Sequence, residues 1–457
     1  MPNKALQQNR DDVLRYWESL GCDLLKAAVP LARRGGDMKA AFCVSRSVMA
    51  GAMIACCCAS VAQVPPTAAP ASLAPGIVRQ ATRPQGIEHC VAIDGGWMVP
   101  YEEKLPGIPV RFTMIPVPGG TFRMGSPNDE AGREIAEGPQ FTVTLPPFWI
   151  GRCEVTWDEY RTYMDAKEVF HERGEDPRPT PEAVGVDAVT APSALYDPEA
   201  VNARVAGDRP ATGMSQYAAR QYTKWISKLT SCFYRLPSES EWEYACRAGS
   251  STPWHSGADI AALNEVAWYA DNAGDETHPV GRKRPNAWGL YDMHGNVAEW
   301  VMDEVTADGY ARQSLLPQPV QLMGSIQWPK QLESRAVRGG AFYDEPTQCR
   351  SAARRKSKDR QWNDTDAELP QSPHWFMEGE SCGLGFRVVR PLVPAEAAER
   401  QRWWEADLES VRKAVADRTQ SGRAASGLVD EEMVRRLKAI WQRRENSDAY
   451  GKPPQQQ

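Results

Sequence analysis

The stretch Gly289-Leu-Tyr-Asp-Met-His-Gly-Asn-Val-Ala-Glu-Trp300 constrains the fold more than any other part of the chain. It opens from Asn286-Ala-Trp-Gly289, a turn set by Pro285 and Gly289, and takes an apolar step at Leu290 and Tyr291. It turns again at Gly295-Asn296 and ends on Glu299 beside Trp300. Asp292, Glu299 and the carbonyls between them offer only oxygen, a donor set that suits a hard cation such as Ca²⁺ rather than a soft metal. Two carboxylates with a Gly-containing turn between them can wrap one ion.

Composition narrows the function classes. The net charge of -6, with no basic face evident, argues against a nucleic-acid partner, because phosphate binding rests on such a face. The runs Arg282-Lys-Arg284 and Arg354-Arg-Lys356 are short and read as solvated loop charge. The 36 Pro, 35 Gly and 16 Trp point to a loop-rich core held by aromatic packing rather than by long regular elements. No nucleophile elbow, phosphate-cradling glycine loop or HExxH motif is present, so hydrolase and nucleotide-dependent readings lack support.

Along the chain, the apolar segment Val48 to Ala62, with Lys39 and Arg46 before it and Ser60-Val-Ala62 at its exit, has the form of a secretory signal counted from Met38. It is too short and too poor in bulky apolar residues for a membrane span. Residues 1–62 therefore read as a doubtful extension plus a signal at about 38–62, and the chain as exported, periplasmic or extracellular. Met53-Ile-Ala-Cys56 loosely resembles a lipoprotein box, a less favoured anchor. Residues 63–85, rich in Pro and Ala, read as a linker.

Alternation predicts strands at Val110–Ile115, Phe122–Gly125 and Phe141–Ile150. Thr156 with Glu159, and Ser238 with Glu241, form capping boxes that start helices. Tyr217, Ala218, Tyr222, Trp225 and Leu229 recur at helical spacing. Residues 394–447 read as a C-terminal helical hairpin, an appendage or partner surface, and 448–457 as a disordered tail. Beyond the signal, Cys90, Cys153, Cys232, Cys246, Cys349 and Cys382 form an even set that permits disulfides in an exported chain. No CxxC or Cys/His cluster suggests zinc. His278 and His294, each beside a turn, read as structural hydrogen-bonding residues.

The opening stretch also resembles the signature of the formylglycine-generating enzyme or sulfatase-modifying-factor family. Four further segments match in order: Pro118-Gly-Gly-Thr-Phe-Arg-Met-Gly-Ser126, Glu154-Val-Thr-Trp157, Arg235-Leu-Pro-Ser-Glu-Ser-Glu-Trp-Glu-Tyr244, and Arg338-Gly-Gly340 followed by Gly385-Phe-Arg387. The resemblance implies an α+β, irregular, loop-rich domain related to C-type lectins, over residues 86–393. It implies Ca²⁺ held by the side chains of Asp292 and Glu299 and the carbonyls of Gly295 and Val297. It also implies a second Ca²⁺ site somewhere in residues 264–275, where the match is too loose to carry residues over.

Members that oxidise a sulfatase cysteine follow the Arg-Gly-Gly with a Ser, a Cys and, five residues later, a second Cys that together bind Cu(I), since soft copper prefers sulfur. Here the Ser position is Ala341 and the first Cys position is Asp344. The second is placed within Glu345-Pro-Thr-Gln348, which offers no sulfur, and Cys349 is aligned with a position that is not catalytic. Copper is therefore not expected. A disulfide of Cys349 with Cys246, near positions a family disulfide joins, or with Cys382, is the expected fate of these thiols. Arg338, Asp344, Cys349 and Arg354 remain as cleft candidates for a charged peptide or protein ligand or for acid/base work, with ion pairs that fix the loop as the plainer alternative. The chain reads as an accessory or recognition domain, or a divergent oxidoreductase; a true formylglycine-generating oxidase and a lectin-like binding module are the alternatives.

Overall fold

The computed structural model describes residues 74–172, 188–192, 207–363, 372–376 and 379–446. The signal, the doubtful extension and the terminal tail lie outside the described residues. Among the described residues no helix is long and apolar enough to cross a membrane.

The centre of the fold is the strand Ala298–Glu304, every residue of which is buried. It pairs antiparallel with Arg335–Arg338, with Glu299 opposite Arg338, and parallel with Leu384–Gly385. The short strand Arg355–Lys356 adds to the far side of Arg335–Arg338. Because side chains alternate along a strand, Trp300 and Met302 enter one apolar core while Val301 enters another. That alternation puts Glu299 and Asp303 on the same side as Val301, inside the protein, where each charge needs a partner.

A second four-stranded sheet runs Val389–Pro391, Phe148–Gly151, Arg111–Val117 and Tyr101–Lys104. The expected strand Phe141–Ile150 is two strands: Pro146 and Pro147 break it, and Phe141–Leu145 pairs instead with Gly120–Met124. Both capping boxes form as read. Ser238 accepts from the Glu241 amide at 3.2 Å and Glu241 returns a bond to the Ser238 amide at 2.9 Å. Thr156 and Glu159 do the same at 3.4 and 3.1 Å. The helices that follow, Trp157–Glu172 and Gln216–Thr230, cross in an aromatic cluster: Tyr160 stacks on Tyr222 at 5.7 Å, and Phe386 meets both edge-on. Each large side chain fully buried there contributes roughly 1.5–3 kcal/mol.

Two expected boundaries move. The linker ends earlier than residue 85, because Ile77–Val78 pairs with Gly96–Met98. The C-terminal segment forms helices, Ala397–Trp404, Glu409–Gln420 and Glu431–Asn446, but they are no appendage. Trp403, Trp404, Met433, Leu437 and Ile440 are buried in the main core. The connection expected to turn a hairpin holds the strand Ala425–Gly427, paired with Val189–Ala191. Arg220 and Arg335 fasten the segment by reaching Asp407 at 2.9 and 2.6 Å. Burial pushes Asp407 the other way, yet the two guanidiniums hold its carboxyl down to about 2.

Candidate functional site

The turn of the central stretch is built from residues in the left-handed region. Asp292, Gly295 and Asn296 have φ of 54, 73 and 58°. At Gly295 a Cβ would lie 1.9 Å from the Trp268 carbonyl oxygen, so only glycine fits. Asn296 donates its amide to that same carbonyl at 2.7 Å, and its side chain accepts from the His278 amide at 2.9 Å. His278 stacks on Trp268 at 3.7 Å. His294 is buried, with Nδ1 against the Cys349 carbonyl at 2.7 Å and Nε2 accepting from the His255 amide at 3.1 Å. Those partners fix the neutral Nδ1–H tautomer, and burial with His255 beside it pushes the ring pKa well below normal. Both histidines are structural in these contacts.

Glu299 is committed. Arg387 donates Nε and Nη2 to its two oxygens at 2.6 and 2.5 Å, and Trp242 Nε1 adds a bond at 2.8 Å. Asp292 is only half satisfied: Oδ2 accepts from the Gly281 amide at 2.7 Å, while Oδ1 is buried without a donor. Glu154, from the connection between the strand Phe148–Gly151 and the helix Trp157–Glu172, is 2% exposed, and neither of its oxygens receives a donor. Its carboxyl faces that of Asp292 within hydrogen-bond reach. Burial, then the charges of Asp292 and Glu299, pushes Glu154 well above the usual carboxylate range, and burial raises Asp292 to about 6. Orphaned carboxylate oxygens of this kind fit a hard cation. Among the described residues no group of three or more His, Cys, Asp or Glu is placed to hold a metal, so an ion here must also draw on carbonyls such as those of Gly295 and Val297.

The second region is a cleft of about 410 Å³ walled by Asp344, Gln348, Arg355, Lys356 and Lys358. Asp344 accepts from the Ala341 amide at 2.8 Å and pairs with Arg355 at 3.1 Å. Burial raises its carboxyl although Arg355 opposes this. Arg355 Nε and Nη2 are themselves buried and make no well-formed bond, and the guanidinium is held between Asp344 and the Tyr343 ring.

Two of the four sequence candidates lie beneath this cleft rather than in its wall. Arg338 is buried, bonded to Glu243 and the Ala353 carbonyl. Arg354 reaches the cleft but spends its donors on Glu239, at 2.6 and 2.7 Å, and on the Ala136, Glu304 and Gln327 oxygens. Cys349 is wholly buried, its sulfur against Gly340, where an added Cβ would come within 2.6 Å. Burial, with Asp344 adding to it, pushes the Cys349 thiol far above its usual pKa, which disfavours the thiolate.

The expected disulfides of Cys349 with Cys246 or Cys382 are not formed among the described residues. Cys246 spends its thiol on Ser351 Oγ at 3.6 Å, and burial pushes it up to about 12. The missed residue is Glu154, which stands in one of the matched segments, the available signal.

The model of the sulfatase-modifying factor enzyme 1-like domain matches residues 109–365, more than half of the chain. The chain belongs to the sulfatase-modifying factor family. The formylglycine-generating enzyme of Thermomonospora curvata is 31% identical over 266 residues, covering 52% of this chain and 84% of that one. The Bos taurus formylglycine-generating enzyme is 27% identical, covering 53% and 69%. Among solved structures, PvdO from Pseudomonas aeruginosa is 30% identical over 61% of this chain and 94% of that one, with a TM-score of 0.43. The mixed helix-and-sheet architecture and the match over residues 109–365 agree with the α+β, sulfatase-modifying-factor fold expected from the motifs.

Proposed function

We propose that the chain is an exported, Ca²⁺-stabilised sulfatase-modifying-factor domain that does not generate formylglycine and instead recognises a charged peptide or protein ligand in the Asp344–Arg355 cleft. One observation carries this reading. Where the resemblance expects the first sulfur stands Asp344, already bonded to the Ala341 amide and to Arg355, and the nearby Cys349 is buried with its thiol pKa pushed up. A two-thiolate copper site would lack its donors. Exposed Lys356 and half-exposed Lys358, both in the wall of the cleft, suit a carboxylate-bearing ligand. Asp292, with the Gly295 and Val297 carbonyls, would hold the Ca²⁺, whose service is to lock the turn between Trp268 and Phe342, while Glu299 is occupied by Arg387 and Trp242.

The test is incubation of the purified chain with a sulfatase-derived Cys-containing peptide, with and without Cu(I), followed by mass measurement. The expected result is no loss of mass corresponding to the aldehyde. Aldehyde formation would establish the second reading, a formylglycine-generating oxidase, which Cys349 beside Asp344 and the formylglycine-generating relatives favour. A chain that retains no member of an acidic peptide panel, and retains glycans instead, would favour the lectin-like reading.

A further inference from the structure

We infer that Glu154, distant in sequence from the turn, is the second carboxylate of the cation site at Asp292, the place the motif gives to Glu299; this rests on the Ca²⁺ reading above. The first step is bonding. Glu299 receives three donors, two from Arg387 and one from Trp242, and its charge is cancelled by a guanidinium at 2.5 Å. Glu154 receives none on either oxygen, and Asp292 Oδ1 none.

The second step is charge. Glu154, Asp292 and Glu299 are three buried carboxylates, and Arg387 bonds one of them, so three minus one leaves two negative charges for a divalent ion to balance. A carboxylate is almost never left buried without a counter-charge, because taking it out of water costs several kcal/mol (roughly). Here Glu154 and Asp292 meet with one donor between them, the Gly281 amide on Asp292 Oδ2, and three oxygens unfilled.

The third step is access. Glu154 and Gly281 line a cleft of about 500 Å³ that also holds Asp158 and Asp208. Both of these are more than half exposed, at 60% and 56%. An ion can therefore enter past two surface carboxylates, in a cleft that Arg111, Arg152 and Cys153 also line. The unfilled acceptors are carboxylate oxygens, so the ligand class is a hard divalent cation of the Ca²⁺ kind.

The experiment uses the full chain after chelator treatment, titrated with CaCl₂ by calorimetry and followed by thermal unfolding. Wild type takes up Ca²⁺ and its Tm rises. In Glu154→Gln the amide can donate to Asp292, so the metal-free Tm is unchanged or higher, whereas Ca²⁺ affinity falls at least about tenfold and the Ca²⁺-dependent rise in Tm is lost. A role in packing alone predicts the opposite for the metal-free form. Glu299→Gln lowers the metal-free Tm because Arg387 loses its partner. If Glu154→Gln binds Ca²⁺ as wild type does, the inference is overturned while the Ca²⁺ reading stands. If wild type binds no Ca²⁺, that reading falls and takes the inference with it. Should Glu154→Gln fail to fold, Glu154→Asp decides: weaker binding in a folded chain supports the assignment, and unchanged affinity overturns it.

Discussion

Two clusters of buried charge lie side by side in this fold, and they are finished to different degrees. Around Arg338 and Arg354, all six oxygens of Glu239, Glu243 and Asp303 receive a donor from the chain. Around the central turn, three carboxylate oxygens, two on Glu154 and one on Asp292, receive none. Both clusters hang from the strand Ala298–Glu304, so the difference is not one of depth or of sheet position. A closed network, its acceptors all filled, needs no further cation, although Arg338 Nε there lacks a well-formed bond; an open one of equal burial, with empty acceptors, asks for something the chain does not supply.

The largest effect falls where one residue closes the open cluster. Arg387→Met leaves Glu299 beside Asp292 and Glu154 with no cation in the chain, and is expected to cost about 4 kcal/mol or more in urea unfolding. A cost under about 1 kcal/mol would mean that the cluster holds its charge in some other way. In the closed network Glu239→Gln is expected to cost less, about 2 kcal/mol, because Arg338 keeps Glu243 and Arg354 keeps three other oxygens. An equal or larger loss than in Arg387→Met would reverse the ranking of the two clusters.

Much of the closed network was legible and most of the open one was not, and sequence distance is the reason. The capping boxes at Thr156 and Ser238 depend on residues three apart, so their bonds could be read directly. The helix begun at Ser238 carries Glu239 and Glu243 one turn apart, flanking Trp242, and all three are buried. Two buried carboxylates on one helix face were a signal that two arginines would be drawn inward, which is what removes Arg338 and Arg354 from the list of ligand-binding candidates. The strand Ala298–Glu304 was hidden because its Glu and Asp residues break the apolar run that marks a buried strand. Glu154 could be seen only once the fold brought it to Asp292, for no local pattern links the two.

Acidity gives a more specific contrast. Burial and the charge of Glu239 push Asp303 up to about 7, although it accepts from the Glu239 and Gln327 amides. A carboxyl raised in the folded state favours folding most when protonated in both states. Its contribution is therefore full below the unfolded value, near 3.8, and is lost as pH climbs through about 7. Unfolding free energy measured from pH 4 to pH 8 should lose about 4 kcal/mol from this group, and Asp303→Asn should flatten that part of the curve. An unchanged slope in the variant would place the pH dependence in the open cluster instead.

The smallest effect on stability is expected where the comparison bears most on function. Lys356 is exposed on the edge strand paired with Ala336, and it projects charge beside the cleft without anchoring a buried partner. Lys356→Ala should change unfolding free energy by less than about 0.5 kcal/mol, as surface substitutions usually do. Removing one exposed charge from the cleft wall nevertheless weakens the field that meets an acidic ligand, so retention on a panel of carboxylate-rich peptides should fall, and fall more at low salt, where screening is weak. Lys358→Ala, tested beside it, should lower retention further, because a second cation of the cleft wall is lost. If both variants keep full retention, the cleft takes no anionic ligand. If retention falls while unfolding does not change, the exposed charges of the cleft mark where the fold meets other molecules, and the buried pairs beneath them mark how it holds together.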